Sequence, residues 1–358
     1  MEGFRLRVTA NITDIIYKPL LCRELQLFEY DQLEKAVSQN ASFLLRTRAA
    51  GNISVSWWVS PKRTRSYPYA RVYDTLGFSG KKVTIIPVIK DEGKDGDRDF
   101  LQWDTVSLMS LLGVHVILGY YVEATRNINY RNKVTNQCFS FPEIKTKMED
   151  LLSYQSDALH WNISQIEQAG EIARKALQAY GRISEALNIE MHSDATASKR
   201  IQELLKGRDE FMNLSRRLAE KAQRRESITT QPKEKLTGTK AILTIRNYLG
   251  GYYFFTADEA WVEGHDLFLA EGKYTKGDSL PSIGDIKDGL LKMILFTNLE
   301  DVQVNGLIYN CVAVLKLTTV PRLSGYRLNE NEKRLMDILS QEAQINRFRI
   351  AINDRFVI

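Results

Sequence analysis

The chain has 358 residues, 44% of them hydrophobic and 26% charged, which implies roughly two or three domains with real cores and excludes a disordered polypeptide. The formal net charge of +5 leans mildly toward an anionic partner and acquires meaning only where the charges cluster. Three widely separated cysteines, Cys22, Cys138 and Cys311, offer neither a metal-type pair nor a disulfide framework, so a reducing cytoplasm is expected.

The opening MEGFRLRVTANITDII has no basic segment followed by an apolar one, so no signal peptide is expected. Residues 1–140 read as an N-terminal α/β domain. YDQLEKAVSQNASFLLRT (30–47) has helical spacing, whereas ISVSWWVS (53–60), YARVYDTL (69–76) and KKVTIIPVI (81–89) read as strands. DFLQWDTVSLMSLL (99–112) predicts a helix stopped by Gly113, and VHVILGYYVEA (114–124) a further strand. The longest apolar stretch, Ser107–Val122, falls short of a roughly 20-residue membrane span and reads as a helix end plus a buried strand. Between two of these strands, SWWVSPKRTRSYPYAR (56–71) interleaves aromatics with Lys62, Arg63, Arg65 and Arg71. Such a mixture on a loop suits phosphate contact and base reading, with Arg63 and Arg65 the expected readers. The same pattern also arises when the tryptophans are core and the basic residues are solvated.

Residues 141–232 lose their strand signals and read as a helical arm. Leu159, Ile163, Ile166, Gly170, Ala173, Leu177, Tyr180 and Leu187 form one seam, and Ile201, Leu205, Phe211, Met212, Leu214 and Leu218 a second. Two long antiparallel helices are the simplest outcome. The second is rich in basic residues from Lys199 to Arg225, so Arg216, Arg217 and Arg224 are expected to clamp phosphates. A packed hairpin and a DNA-clasping or dimerising arm are both open here.

A polar connector, RRESITTQPKEKLTG (224–238), leads to a C-terminal domain over 233–358. GTKAILTIRNYLGG (238–251) reads as a helix, YYFFTADEAWV and DLFLAEGKYT as strands, and SIGDIKDGLLKMILFTNL as a helix capped by Ser282. LIYNCVAVLKLTTV is a strand, NENEKRLMDILSQEAQ a helix and NRFRIAINDRFVI a final strand, so the order over 237–320 is α, β, β, α, β. Between the first two strands EGHD has the glycine of a type II′ hairpin turn. With Gly264 and His265 as loop residues, Asp258 falls opposite Glu271. Period-2 alternation then puts Ala260, Val262, Leu267 and Leu269 on one face near the turn, with Asp258, Glu271 and Lys273 on that face farther away. Facing carboxylates repel unless a cation separates them, and hard oxygen ligands at such a corner suit Mg²⁺. Lys273 could orient or deprotonate a water, or offset charge on a phosphate.

An acid on one strand followed by acid-x-Lys on the next resembles the PD-(D/E)xK nuclease superfamily, to which most type II restriction endonucleases belong. The resemblance covers about 85 residues, with Asp258 and Glu271-Gly272-Lys273 as the matching positions. It implies an α/β (α+β) multidomain protein with a C-terminal αβββαβ core, Mg²⁺ held by Asp258 and Glu271, and Lys273 as the catalytic lysine. Double-stranded DNA as substrate and a homodimer, one site per strand, are implied in turn. Ala257 stands where the family has proline, and Glu259 would replace Asp258 if the hairpin slipped by one residue. Asp74, Glu92 and Lys94 form a looser second set. The four histidines have no zinc spacing. The alternatives are another nuclease of this superfamily, in repair or a mobile element, and a non-catalytic DNA-binding protein with a decayed core.

Overall fold

The computed structural model describes residues 6–47, 51–62, 67–193, 239–247, 252–277, 279–319, 328–353 and 355–358, with scattered positions between 195 and 213. Arg63, Arg65, Arg216, Arg217 and Arg224 lie outside the described residues, as does nearly all of the second helix expected in the arm. The fold is mixed α/β, and it divides into two compact units, residues 24–215 and residues 1–23 together with 216–358. These units cut the chain differently from the three segments read from the sequence. The first strand, β1 (Leu6–Ile12), joins the C-terminal unit, and the long helix of the expected arm joins the N-terminal one.

The unit of residues 24–215 contains β2 (Leu27–Glu29), α1 (Leu33–Gln39), β3 (Ser42–Thr47), β4 (Gly51–Trp57), α2 (Pro68–Leu76), β5 (Lys82–Pro87), β6 (Ile89–Asp91), β7 (Arg98–Phe100), α3 (Trp103–Leu111) and β8 (Val114–Gly119). It continues with β9 (Tyr121–Arg126), β10 (Val134–Phe139), α4 (Phe141–Ser153) and α5 (Ala158–Leu187). Its main sheet has the order β2-β3-β4-β5-β8, with β3 and β4 antiparallel and the other pairs parallel. Two sequence expectations are corrected here. The helix predicted over 30–47 ends at Gln39, because Ser42–Thr47 pairs with Gly51–Trp57 as a strand. The strand predicted over 69–76 is helix α2: Pro68 starts it, and buried Tyr69, Ala70, Val72 and Tyr73 follow the 3–4 spacing of a helix face.

Helix α5 is not a free arm. The Trp161 indole donates to the Val116 carbonyl at 2.7 Å. Asn162 accepts from the Val116 amide at 2.7 Å and donates to the Val114 carbonyl at 3.0 Å. One side chain thus satisfies edge-strand groups of β8 and bolts the helix to the sheet.

The other unit contains β1, β11 (Thr239–Asn247), β12 (Tyr252–Glu263), β13 (Asp266–Tyr274), α6 (Ile283–Phe296), β14 (Glu300–Val304), β15 (Leu307–Ile308), β16 (Asn310–Thr318), α7 (Glu330–Asn346), β17 (Arg349–Ile352) and β18 (Arg355–Phe356). One nine-stranded sheet runs β15-β14-β1-β11-β12-β13-β16-β17-β18. Strands β11, β12 and β13 form an antiparallel meander, β16 lies parallel to β13, and β1 parallel to β11. The helix predicted over 238–251 is therefore replaced by β11. Its buried residues, Ala241, Leu243, Ile245 and Asn247, alternate because β1 and β12 pair on either side. The order from 239 to 318 becomes three strands, a helix and three strands. The predicted last strand splits into β17 and β18.

Helix α6 starts where Ser282 accepts from the Asp285 amide at 3.1 Å, and it packs on β13 and β16. Helix α7 opens on an Asn329/Glu332 capping box. Its fully buried Glu342 accepts from Tyr17 at 2.7 Å and from the amides of Leu20 and Leu21 at 3.0 and 3.1 Å. That carboxylate anchors the segment after β1 to the C-terminal helix. No described helix is long and apolar enough to cross a membrane.

Candidate functional site

The β12–β13 hairpin has the expected register. Glu263 faces Asp266, Glu259 faces Ala270, and Gly264 takes the positive φ of 62° that the two-residue turn requires. The paired ladder stops at Glu259, one residue before Asp258. On its other edge β12 carries an irregularity, since Thr239 faces Ala260 while Ala241 faces Ala257. The extra residue falls on Asp258–Glu259 and bends the strand there. Asp258 reaches across to accept the Gly272 amide at 2.9 Å.

Glu271 is 3% exposed, a costly place for a carboxylate. Both of its oxygens hold lysines: Oε1 lies 3.0 Å from Lys273 and Oε2 2.5 Å from Lys292 of α6. Lys273 also bonds Asp288 of α6 at 3.0 Å, and Lys292 donates to the Thr256 carbonyl at 3.2 Å. The result is an alternating chain of charge, Asp288–Lys273–Glu271–Lys292, between sheet and helix. Helix α6 can approach this closely because Gly289 faces Lys273; a Cβ there would stand 3.1 Å from the lysine Cε and 2.8 Å from Leu315. Burial opposes ionisation of Glu271, but Lys292 and Lys273 outweigh it and hold its pKa down at about 2. Burial likewise opposes charge on Lys273, and Glu271 and Asp288 outweigh it, raising its pKa above that of an ordinary lysine. Lys273 is therefore charged at neutral pH and stabilises negative charge; in this state it cannot take a proton from water.

Glu259, the alternative first acid, is 4% exposed and pairs with Lys316 at 2.8 Å. Lys316 neighbours Leu315 on β16, and Leu315 is the residue under Gly289 of α6, so alternation puts the Glu259–Lys316 pair on the opposite face of the sheet. Glu271 and Lys273 thus meet Asp288 and Lys292 at one strand end, while the Asp258 carboxylate lies beside Gly272, the residue between Glu271 and Lys273. Sequence reasoning missed Asp288 and Lys292. Their signal was charge at positions four apart on a helix that also carries Asp285 and Lys287, with nothing in the sequence to say which strand they would meet.

The remaining expected positions separate. Arg71 stacks over Trp57 at 4.3 Å and donates to its carbonyl at 2.9 Å. Trp58 is fully buried in the core and Trp57 is half-buried under Arg71, while Lys62 stays exposed. Asp74 is buried on α2, Glu92 pairs with Lys90 and Lys133, and Lys94 turns outward to Glu190, so these three do not form a second set.

Among the described residues no three or more His, Cys, Asp or Glu side chains stand together as a metal cage. Mg²⁺ needs less, because it binds through one or two carboxylates and completes its shell with water and substrate phosphate. Glu271 offers such an ion an oxygen only where Lys292 gives up Oε2, and one oxygen of Asp258 already accepts the Gly272 amide. No family model, curated protein or solved structure matches the chain.

Proposed function

We propose that the chain is a Mg²⁺-dependent endonuclease that hydrolyses phosphodiester bonds of double-stranded DNA, similar in its site to type II restriction enzymes. One observation carries the reading: Glu271 and Lys273 share a buried strand end, with Asp258 bonded to the residue between them. The meander β11–β13, helix α6 and parallel β16 also correspond to the βββαβ part of the implied core. The segment read as the opening helix of that core is strand β11 instead, and β14–β15 is an addition. Asp258 and Glu271 would hold the ion. When bound, Mg²⁺ would acidify a water and neutralise charge on the phosphate. Lys273, fixed between Glu271 and Asp288, offsets charge developing on the phosphate oxygens. Cutting both strands calls for two sites, hence a homodimer.

The double lysine grip on Glu271 favours a second reading, in which the cluster is a permanent ionic lock in a non-catalytic DNA-binding protein. Plasmid digestion with Mg²⁺ and with EDTA separates the two. The nuclease reading expects Mg²⁺-dependent cutting that Lys273→Met and Asp258→Asn abolish and Glu259→Gln spares in protein that remains folded. DNA binding without cutting under any divalent ion would support the lock. Greater damage from Glu259→Gln than from Asp258→Asn would overturn the site assignment.

A further inference from the structure

The loop joining β9 to β10 is the most exposed basic and aromatic element among the described residues that the site leaves unused. Residues 126–133, RNINYRNK, carry three positive charges and no negative one. Ile128 is 95% exposed and Tyr130 55%, although both are large and apolar. Arg126 and Arg131 are exposed and form no ion pair or side-chain hydrogen bond with a described residue. Together with Asn127 and Asn129 these side chains line a cleft of about 360 Å³.

The base of the loop is rigid. Asn127 donates its amide to the Lys133 carbonyl at 2.8 Å, and its side chain accepts from the Asn129 amide at 2.9 Å. Asn132 is held twice by Asp95, at 2.8 and 3.1 Å, and accepts from the Glu190 amide at 3.0 Å. Lys133 lies 3.3 Å from Glu92 and under the Tyr130 ring. The acids therefore neutralise the foot of the loop; Arg131 lies within Coulombic reach of Glu190, and Arg126 has no acid partner among the described residues. A fixed base spares the loop backbone its share of the ordering cost of binding, while the exposed side chains still lose rotamer freedom.

We propose that this loop is a finger that enters the major groove of duplex DNA and reads base edges there. A two-stranded ribbon fits that groove. The loop presents the three side-chain types that distinguish its edges: arginine for guanine, asparagine for adenine, and an aliphatic group for the thymine methyl. The proposal rests on duplex DNA being the substrate and names a further element that selects its sequence, beside the loop at 62–71, whose expected readers Arg63 and Arg65 lie outside the described residues.

The test uses the full chain in EDTA, where cutting plays no part. Affinity for a random-sequence duplex is measured across a salt series for the wild type and for the Arg126→Ala/Arg131→Ala double variant, with thermal melting as the control for folding. Two lost phosphate or groove contacts are expected to lower affinity ~10-fold or more and to flatten the log K against log salt slope by about 1–2. Selection of bound sequences from a random duplex pool is then compared for the wild type, Ile128→Ala and Asn129→Ala. The expected result is a sequence preference in the wild type that either single variant weakens by roughly 5-fold or more at one base position. Unchanged affinity and slope in the double variant would overturn the finger, even if the wild type cuts DNA with Mg²⁺. So would equal affinity for single strands or RNA, or no sequence preference in the wild type. Loss of binding in the double variant of a wild type that never cuts would keep the finger and defeat the nuclease reading.

Discussion

Residues 92–94 and residues 271–273 spell the same tripeptide, Glu-Gly-Lys, in different units. On β13 the backbone is extended, so positions two apart share a face and Lys273 lies 3.0 Å from Glu271. At 92–94 the glycine has a φ of 87°, which breaks that alternation. Lys94 leaves for Glu190 at the surface, and Glu92 takes Lys90 and Lys133 instead. An acid-x-Lys sequence thus has chemical meaning only when the strand around it holds both side chains on one side.

The largest contrast is expected on removal of the acid. Glu271→Ala leaves Lys273 and Lys292 beside an empty, buried position and should cost about 3–5 kcal/mol in denaturant unfolding. Glu92→Ala should cost about 1–3 kcal/mol, because Lys133 is 28% exposed and can turn to water. Equal losses would break the comparison.

Acid should find the same difference. The pKa of Glu271 is held down at about 2 in the folded protein, against an ordinary value of 4.5. A depressed carboxylate contributes stability that is complete above its unfolded pKa and is lost as pH falls through the folded one. Unfolding free energy should therefore drop by on the order of 3 kcal/mol between about pH 5 and pH 2. Glu271→Gln should flatten that part of the curve; an unchanged curve would show that the lysines do not hold the carboxylate.

The two glycines sharpen the point further. A Cβ on Gly93 would stand 2.3 Å from the Asn132 carbonyl oxygen in a left-handed backbone, so Gly93→Ala should cost about 1–3 kcal/mol. On Gly272 the nearest atom is the Asp258 carboxylate at 3.6 Å, ordinary contact, and Gly272→Ala should stay within about 1 kcal/mol of the wild type. The smallest effect is expected for Lys94→Ala, which should leave the melting midpoint where it is, since both partners of that pair lie in solvent.

Much of the C-terminal unit could be read without coordinates wherever a local signal was strong. Gly264-His265 set the hairpin register, and with it the face shared by Glu271 and Lys273. Ser282 marked its helix because a cap is satisfied within a few residues. Gly113, with a φ of 65°, ended its helix for an equally local reason.

Other decisions belonged to distant partners. The runs 239–247 and 69–76 are short and apolar enough to fit either a strand or a helix, and neighbouring elements chose between them: β1 and β12 flank the first, and the second buries a helical face. Likewise, β1 joins a sheet whose next strand in space begins more than two hundred residues later in the chain, a pairing for which periodicity has no information. The two lysines on Glu271 show the division most clearly. Sequence alone determined that Lys273 would stand beside the acid, because alternation along a strand is a property of the backbone. Only the packing of α6 across β13, made possible at Gly289, brought Lys292 and Asp288 to the same carboxylate and lysine, because which helix covers which strand is settled by the burial of whole faces.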